Sequence, residues 1–184
     1  MIAMDETPSS LGRILFADDE EIFLLSTADL LRAEGYHVDC CSDAIEARRQ
    51  LETQTYDVLI SDIRMPGNAD LGLLRDLPQG NAGLPIILVT GFPSAQTAIQ
   101  AIDLNVLTYL VKPLEFQELL DRVNELADRV LAMAGSASPR AEVAEVRILG
   151  APEELAAELP KRLRLRRGVP YESASAREDL RTLR

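Results

Sequence analysis

Two short stretches of the chain are apolar almost without interruption. Tyr56–Ser61 reads YDVLIS and Leu84–Thr90 reads LPIILVT. A strand with one face in water alternates apolar and polar side chains, whereas a strand covered on both faces reads as a continuous apolar run. These two segments therefore belong at the centre of a sheet with a layer packed on each side. The chain between and around them has to supply those layers.

It does so by alternation. Arg13–Ala17 (RILFA), Tyr36–Cys41 and Leu107–Val111 read as three further strands. Between the strands lie stretches of helical spacing. Glu21–Glu34 is the first, with Ile22, Leu25, Ala28 or Asp29, and Leu30 or Leu31 on the expected stripe and Gly35 as its stop. Asp43–Gln54 follows, capped by Ser42 or Asp43. A loop with Pro66, Gly67 and Asn68 leads into a helix expected through Leu71, Leu74 and Leu77. Pro93–Asp103 is the fourth helix, and Leu114 to about Met133 the fifth. The fifth carries Phe116, Leu119, Leu120, Val123, Leu126 and Val130 at 3.6-residue spacing. Five strand–helix pairs in succession imply an α/β fold with a five-stranded parallel sheet and helices on both faces. Right-handed crossovers leave few topologies, of which we choose the flavodoxin-like (βα)5 strand order 2-1-3-4-5.

The 184 residues suit one such domain with an extension. Residues 1–11 read as a tail, 12–133 as the domain and 134–140 as a linker containing the Gly135–Pro139 stretch. Residues 141–184 form a short extension of unassigned role. It comprises an acidic and apolar segment (Ala141–Leu149), a helix-like run (Pro152–Leu159) and a basic run (Lys161–Arg167). Charge divides the same way: the net charge is −13 over residues 1–134 and +2 over residues 135–184. An acidic body repels nucleic acid, so any contact with it would come through Lys161–Arg167. Met1–Ser10 lacks the apolar centre of a signal peptide, and no apolar run approaches the ~18 residues of a membrane span. Cys40 and Cys41 are adjacent, so they point to opposite faces of a strand and are expected as reduced thiols. Together these features lead us to expect a cytoplasmic protein with no membrane contact.

The chemistry-bearing residues stand at strand ends. Strand one runs into Asp18, Asp19 and Glu20; strand three runs into Asp62. If strands one and three are neighbours, these carboxylates crowd one edge, and their repulsion is relieved by a hard divalent cation with oxygen ligands. Mg²⁺ suits such a site, since it accepts a few carboxylates and completes its shell with water and phosphate oxygens. Strand four ends in Thr90, a hydroxyl, and strand five in Lys112, a point charge suited to a phosphoryl oxygen. A carboxylate nucleophile, a metal, a hydroxyl and an ammonium form a phosphoryl-transfer site.

Taken together, Asp18-Asp19, Ser61-Asp62-Ile63-Arg64-Met65-Pro66, Thr90-Gly91 and Tyr109-Leu110-Val111-Lys112-Pro113 resemble the receiver domain of bacterial response regulators over about residues 12–133. The resemblance implies that Asp62 is the phosphoacceptor, taking phosphate from a histidine kinase or phosphotransfer protein. It implies Mg²⁺ held directly by Asp19 and Asp62, through water by Asp18, and by the backbone carbonyl of Arg64. Thr90 and Lys112 would hold the phosphoryl oxygens. Thr90 and Tyr109 would act as the switch, Tyr109 turning inward, and Lys112–Pro113 would be a cis peptide. The responding face would be helix four, strand five and helix five, through which the chain could bind a partner or a second copy. Such a protein acts on its own phosphorylation state and is not a turnover enzyme.

Two positions depart from the family pattern: Ala69-Asp70 stands where Asp-Gly is usual, and Asn105 where Gly precedes strand five. Asp and Asn tolerate a left-handed backbone best among residues with a side chain. His37, the only histidine, lies at a strand entry away from the strand ends and reads as structural. Glu20 reads as lining the mouth of the pocket. A DNA-binding regulator with the basic run as its output is the alternative reading. An aspartyl-nucleophile hydrolase would need an acid two residues beyond the nucleophile, where this chain has Arg64.

Overall fold

In a computed structural model, residues 10–134 are described apart from 69–70, 79–80, 82 and 105, together with 147–149. The basic run, the linker, Ala69-Asp70 and Asn105 lie outside the described residues. The elements are β1 (Arg13–Ala17), α1 (Glu21–Ala33), β2 (His37–Cys41), α2 (Ala44–Thr53), β3 (Val58–Asp62), α3 (Gly72–Arg75), β4 (Ile86–Thr90), α4 (Ala95–Asp103), β5 (Val106–Val111), α5 (Phe116–Ala134) and β6 (Arg147–Leu149). The sheet is parallel throughout and its order is β2-β1-β3-β4-β5-β6. The first five strands thus take the order 2-1-3-4-5 read from the sequence. The sixth comes from the segment after the helical repeat and pairs with the outer edge of β5.

β3 and β4 are buried at every position, as their uninterrupted apolar runs require. Alternate residues serve two cores. Leu15, Leu59, Leu88 and Tyr109 face α2, α3 and α4, while Phe16, Ile60, Ile87 and Leu110 face α1 and α5. Truncating a fully buried residue such as Leu59 to Ala would cost about 2–5 kcal/mol through lost contacts and the cavity left behind. Cys41 joins the first core and Cys40 lies against the second, so the adjacent thiols do point apart. Burial pushes the Cys41 thiol up to about 12, which keeps it unreactive.

The helix ends follow local chemistry. Asp43 caps α2, its carboxylate accepting from the amides of Ile45 and Glu46, and Ser94 caps α4 by accepting from the Thr97 amide. Gly35 leaves α1 with φ of +103°, where a side chain would be strained.

Two expectations are corrected. On α1 the buried stripe is Leu24, Thr27, Ala28 and Leu31, whereas Ile22, Leu25 and Leu30 are exposed. Of the residues expected on the stripe, only Ala28 and Leu31 face the sheet. Apolar residues cover so much of this helix that hydropathy alone does not fix which side is covered. The third helix is a single turn, Gly72–Arg75, and stops before Leu77. Leu71 precedes it with φ of +58° while being wholly buried. A left-handed backbone at a leucine costs about 1–2 kcal/mol and is offset by that burial.

Candidate functional site

The carboxyl ends of β1, β3, β4 and β5 converge because neighbouring parallel strands stop in step: Ala17 pairs with Ser61, Asp62 with Val89, and Thr90 with Val111. Asp62, Gly91 and Lys112, at or just past the ends of β3, β4 and β5, therefore open onto the same cleft as Asp19 and Glu20 from the loop after β1. That cleft, of about 640 Å³, is lined by Asp19, Glu20, Asp62, Arg64 and Lys112, with Phe23 and Phe92 among the apolar walls.

Lys112 is the centre of the charge pattern. Its ammonium donates to Asp18 Oδ2 and to Glu20 Oε1, each at 2.7 Å, and stands 3.7 Å from Asp62 Oδ2. It also sits 4.4 Å from the centroid of the Phe23 ring, a face that attracts a cation. Burial works to lower the Lys112 pKa, but hydrogen bonds to Asp18 and Glu20 and the charges of Asp18 and Asp62 outweigh it, so the pKa is raised. Asp18 is completely buried. Burial raises its pKa, and the bonds from Lys112 and from the Glu20 amide only partly counter the rise. One ammonium thus faces three carboxylates, those of Asp18, Glu20 and Asp62, each offering an oxygen within 4.8 Å of the others.

This donor set fits a hard divalent cation: oxygens only, two of the three groups buried, and more negative charge than the lysine can balance. Asp19 lines the cleft but is exposed and outside the converging trio, and Glu20 takes the place beside Asp18 and Asp62. The Arg64 amide donates to Asp62 Oδ1 at 3.1 Å. Its guanidinium lies 4.5 Å from the Phe92 ring centroid, joining the loops after β3 and β4.

Thr90 is buried, and its hydroxyl accepts from the Phe92 amide at 3.1 Å. Tyr109 is also fully buried, with its hydroxyl 2.9 Å from that of Thr97 on α4. Lys112–Pro113 is cis. His37 is exposed at the start of β2, beside Asp39 and away from the cleft. Arg64, an arginine at the position where a hydrolase of the aspartyl type would carry its acid, leaves that reading without a proton donor there.

Asn68 was legible only as a turn residue, yet it is buried and ties the loop together. Its amide nitrogen donates to the carbonyls of Asp62 and Ile63, and its oxygen accepts from the Leu73 amide. A polar residue between Gly67 and an apolar run is a faint signal for such a clamp. Glu20 was likewise seen only as a residue of the mouth, because its approach to Lys112 depends on a strand 92 residues away in sequence.

Comparison with known proteins settles the family. The family model for the response regulator receiver domain matches residues 14–124. The chain belongs to the response regulator receiver family. It is 31% identical over 140 residues to the transcriptional regulatory protein ZraR of Salmonella typhimurium, covering 74% of this chain and 31% of that protein. It is 30% identical over 140 residues to the alginate biosynthesis transcriptional regulatory protein AlgB of Pseudomonas aeruginosa, covering 69% of this chain and 31% of that one. The chain therefore spans about a third of the length of these curated relatives. Among solved structures, a CheY-like response regulator receiver domain protein from Methanospirillum hungatei is 29% identical with a TM-score of 0.64, covering 67% of this chain and 99% of that one. The receiver domain of the hybrid histidine kinase CckA is 34% identical with a TM-score of 0.53, covering 63% and 99%. Receiver domains are phosphoryl-accepting regulators rather than turnover enzymes. Among the described residues, no helix of this receiver is long and apolar enough to cross a membrane.

Proposed function

We propose that this receiver is a phosphorylation switch with Asp62 as its acceptor. The observation that carries the reading is the position of the Asp62 carboxylate. It is nearly buried, faces an open cleft, and lies 3.7 Å from a lysine already committed to two other acids. In the transfer, an Asp62 oxygen attacks phosphorus, the bond to the donor's histidine nitrogen breaks, and the histidine leaves with the electron pair. Lys112 exchanges part of its contact with Glu20 and Asp18 for a phosphoryl oxygen, and the Thr90 hydroxyl donates to another. Asp18, Asp19 and Asp62, with the Arg64 carbonyl, would hold Mg²⁺, and Glu20 is placed to assist. The bound cation supplies neutralisation of the charge that gathers on the phosphoryl oxygens. The same residues catalyse the chain's own phosphorylation and dephosphorylation.

Thr90 and Tyr109 carry the change outward. Because Tyr109 is already packed inside, the responsive contact is its hydroxyl against Thr97, which links the sheet to α4. The donor is a histidine kinase or phosphotransfer protein, and the place of action is the cytoplasm. The relatives' names describe transcriptional regulation, which makes nucleic-acid binding through Lys161–Arg167 the second reading. A gel shift that fails at low salt removes that second reading.

Incubation with a small phosphodonor and Mg²⁺ tests the first. One phosphoryl group is expected on the wild type, none after chelation of the metal, and none on Asp62→Asn. Equal labelling of Asp62→Asn would sink the assignment.

A further inference from the structure

The receiver repeat ends with α5, yet the sheet does not end with β5. After the twelve residues that separate Ala134 from Arg147, the chain returns as β6 and pairs in parallel with β5, Thr108 opposite Arg147, Tyr109 opposite Ile148 and Leu110 opposite Leu149. The connection β5–α5–β6 repeats the strand–helix–strand crossover used throughout the fold. The sequence around it, Val146-Arg147-Ile148-Leu149, contains the β-forming residues Val146 and Ile148, and Gly150-Ala151-Pro152 follows.

The parity of β5 identifies which backbone groups meet β6. The Lys112 amide donates to the Thr90 carbonyl, so residue 112 faces β4. In a parallel ladder both polar groups of a residue point to one neighbour, and successive residues alternate. Leu110 and Thr108 therefore face β4, and the backbone N–H and C=O of Tyr109 face the outer edge. With Ile148 opposite Tyr109, the partners are the Arg147 carbonyl and the Leu149 amide, while the backbone of Ile148 points away. Tyr109 thus joins two elements: its hydroxyl meets α4 at Thr97 and its peptide groups meet β6.

An open sheet edge is a template for pairing with another chain. We propose that the outer edge of β5 is a strand-binding surface whose occupant is this chain's own residues 147–149, which compete there with a second copy of the protein. A second copy that pairs along this edge must first displace β6. This inference is independent of whether Asp62 accepts phosphate.

The test uses the full chain with two proline variants. Leu149→Pro removes the amide that serves the Tyr109 carbonyl, whereas Ile148→Pro removes an amide that faces away. Amide hydrogen exchange is read at Tyr109, and self-association by light scattering across a dilution series. Leu149→Pro is expected to speed exchange at Tyr109 roughly tenfold, the loss of about one hydrogen bond. It is also expected to shift self-association to a roughly tenfold lower concentration, because the competent edge is no longer masked. Ile148→Pro should stay near the wild type in both, which separates edge pairing from a general disturbance of the extension. Unchanged exchange and association in Leu149→Pro would overturn the proposal. So would equal effects of the two variants, or protection of Tyr109 in the wild type that disappears on dilution, since a second copy would then be the occupant.

Discussion

The two ends of the sheet treat the same residue type in opposite ways. Around the starts of β1 and β2, Asp39 is surrounded by partners. Arg13 donates to it from two nitrogens at 2.9 and 2.7 Å, and the Tyr56 hydroxyl donates at 3.0 Å. Arg13 also reaches Gln54 at 2.8 Å and lies over the Tyr56 ring, while Asp57 accepts the Arg13 amide at 2.7 Å. Burial favours protonated Asp39, but the bonds from Arg13 and Tyr56 and the charges of Arg13 and His37 hold its pKa below the usual carboxylate range. At the other end a single ammonium serves Asp18, Glu20 and Asp62, and burial leaves the Asp18 pKa raised. The first end spends its polar groups on holding the strands together. The second keeps negative charge in excess over its own cations, which disfavours the isolated fold and favours whatever positive group or metal enters.

The largest expected effect that sharpens this contrast is at Asp62. Asp62→Asn should lower phosphoryl uptake by more than about a hundredfold, since the nucleophile is gone. It should leave the melting temperature unchanged or higher, because a like charge has been removed from the crowd. A melting curve that falls steeply would make Asp62 a structural acid like Asp39 and break the contrast.

Next is Lys112→Ala, which strands Asp18 in a fully buried position. A loss of about 3 kcal/mol in urea unfolding without Mg²⁺ is expected. Mg²⁺ itself should stabilise the wild type by about 2.7 kcal/mol at a hundred times its dissociation constant, reversed by chelation. The opposite end should gain nothing, so hydrogen exchange at β2 and the start of β1 should change only with global unfolding.

The acid network is tested by pH. Asp39 has a folded pKa below its ordinary value of 3.8. Its contribution is therefore present above that value and is lost as pH falls through the lower, folded one. Asp39→Asn should cost roughly 1–2 kcal/mol at neutral pH and flatten the decline of stability below about pH 4. The smallest effect is at His37. Exposed and remote from the cleft, His37→Ala should change stability by less than about 0.5 kcal/mol and leave phosphoryl uptake intact.

What could be read in the sequence followed from covalent order and periodicity. The five strands, their parallel arrangement and the convergence of Asp18, Asp62 and Lys112 were legible because each residue follows, or is the last of, an apolar run. Three features were not. The covered side of α1 was misjudged because Ile22, Leu25 and Leu30 are apolar and yet face outward. The single-turn α3 depends on Asn68 binding the Leu73 amide and on Leu71 accepting a left-handed backbone, neither of which has a periodic signature. The sixth strand is three residues long, and only the waiting edge of β5 makes it a strand. Glu20 illustrates the same limit at the site, since its proximity to Lys112 is tertiary.

Reduction of the labelled protein with borohydride addresses the central claim most directly, because an aspartyl phosphate is converted to homoserine at the modified position. After phosphodonor and Mg²⁺, peptide sequencing by mass spectrometry should find homoserine at residue 62 alone. Reduction product at Asp18, Asp19 or Glu20 instead, or none anywhere in a fully folded chain, would contradict the account.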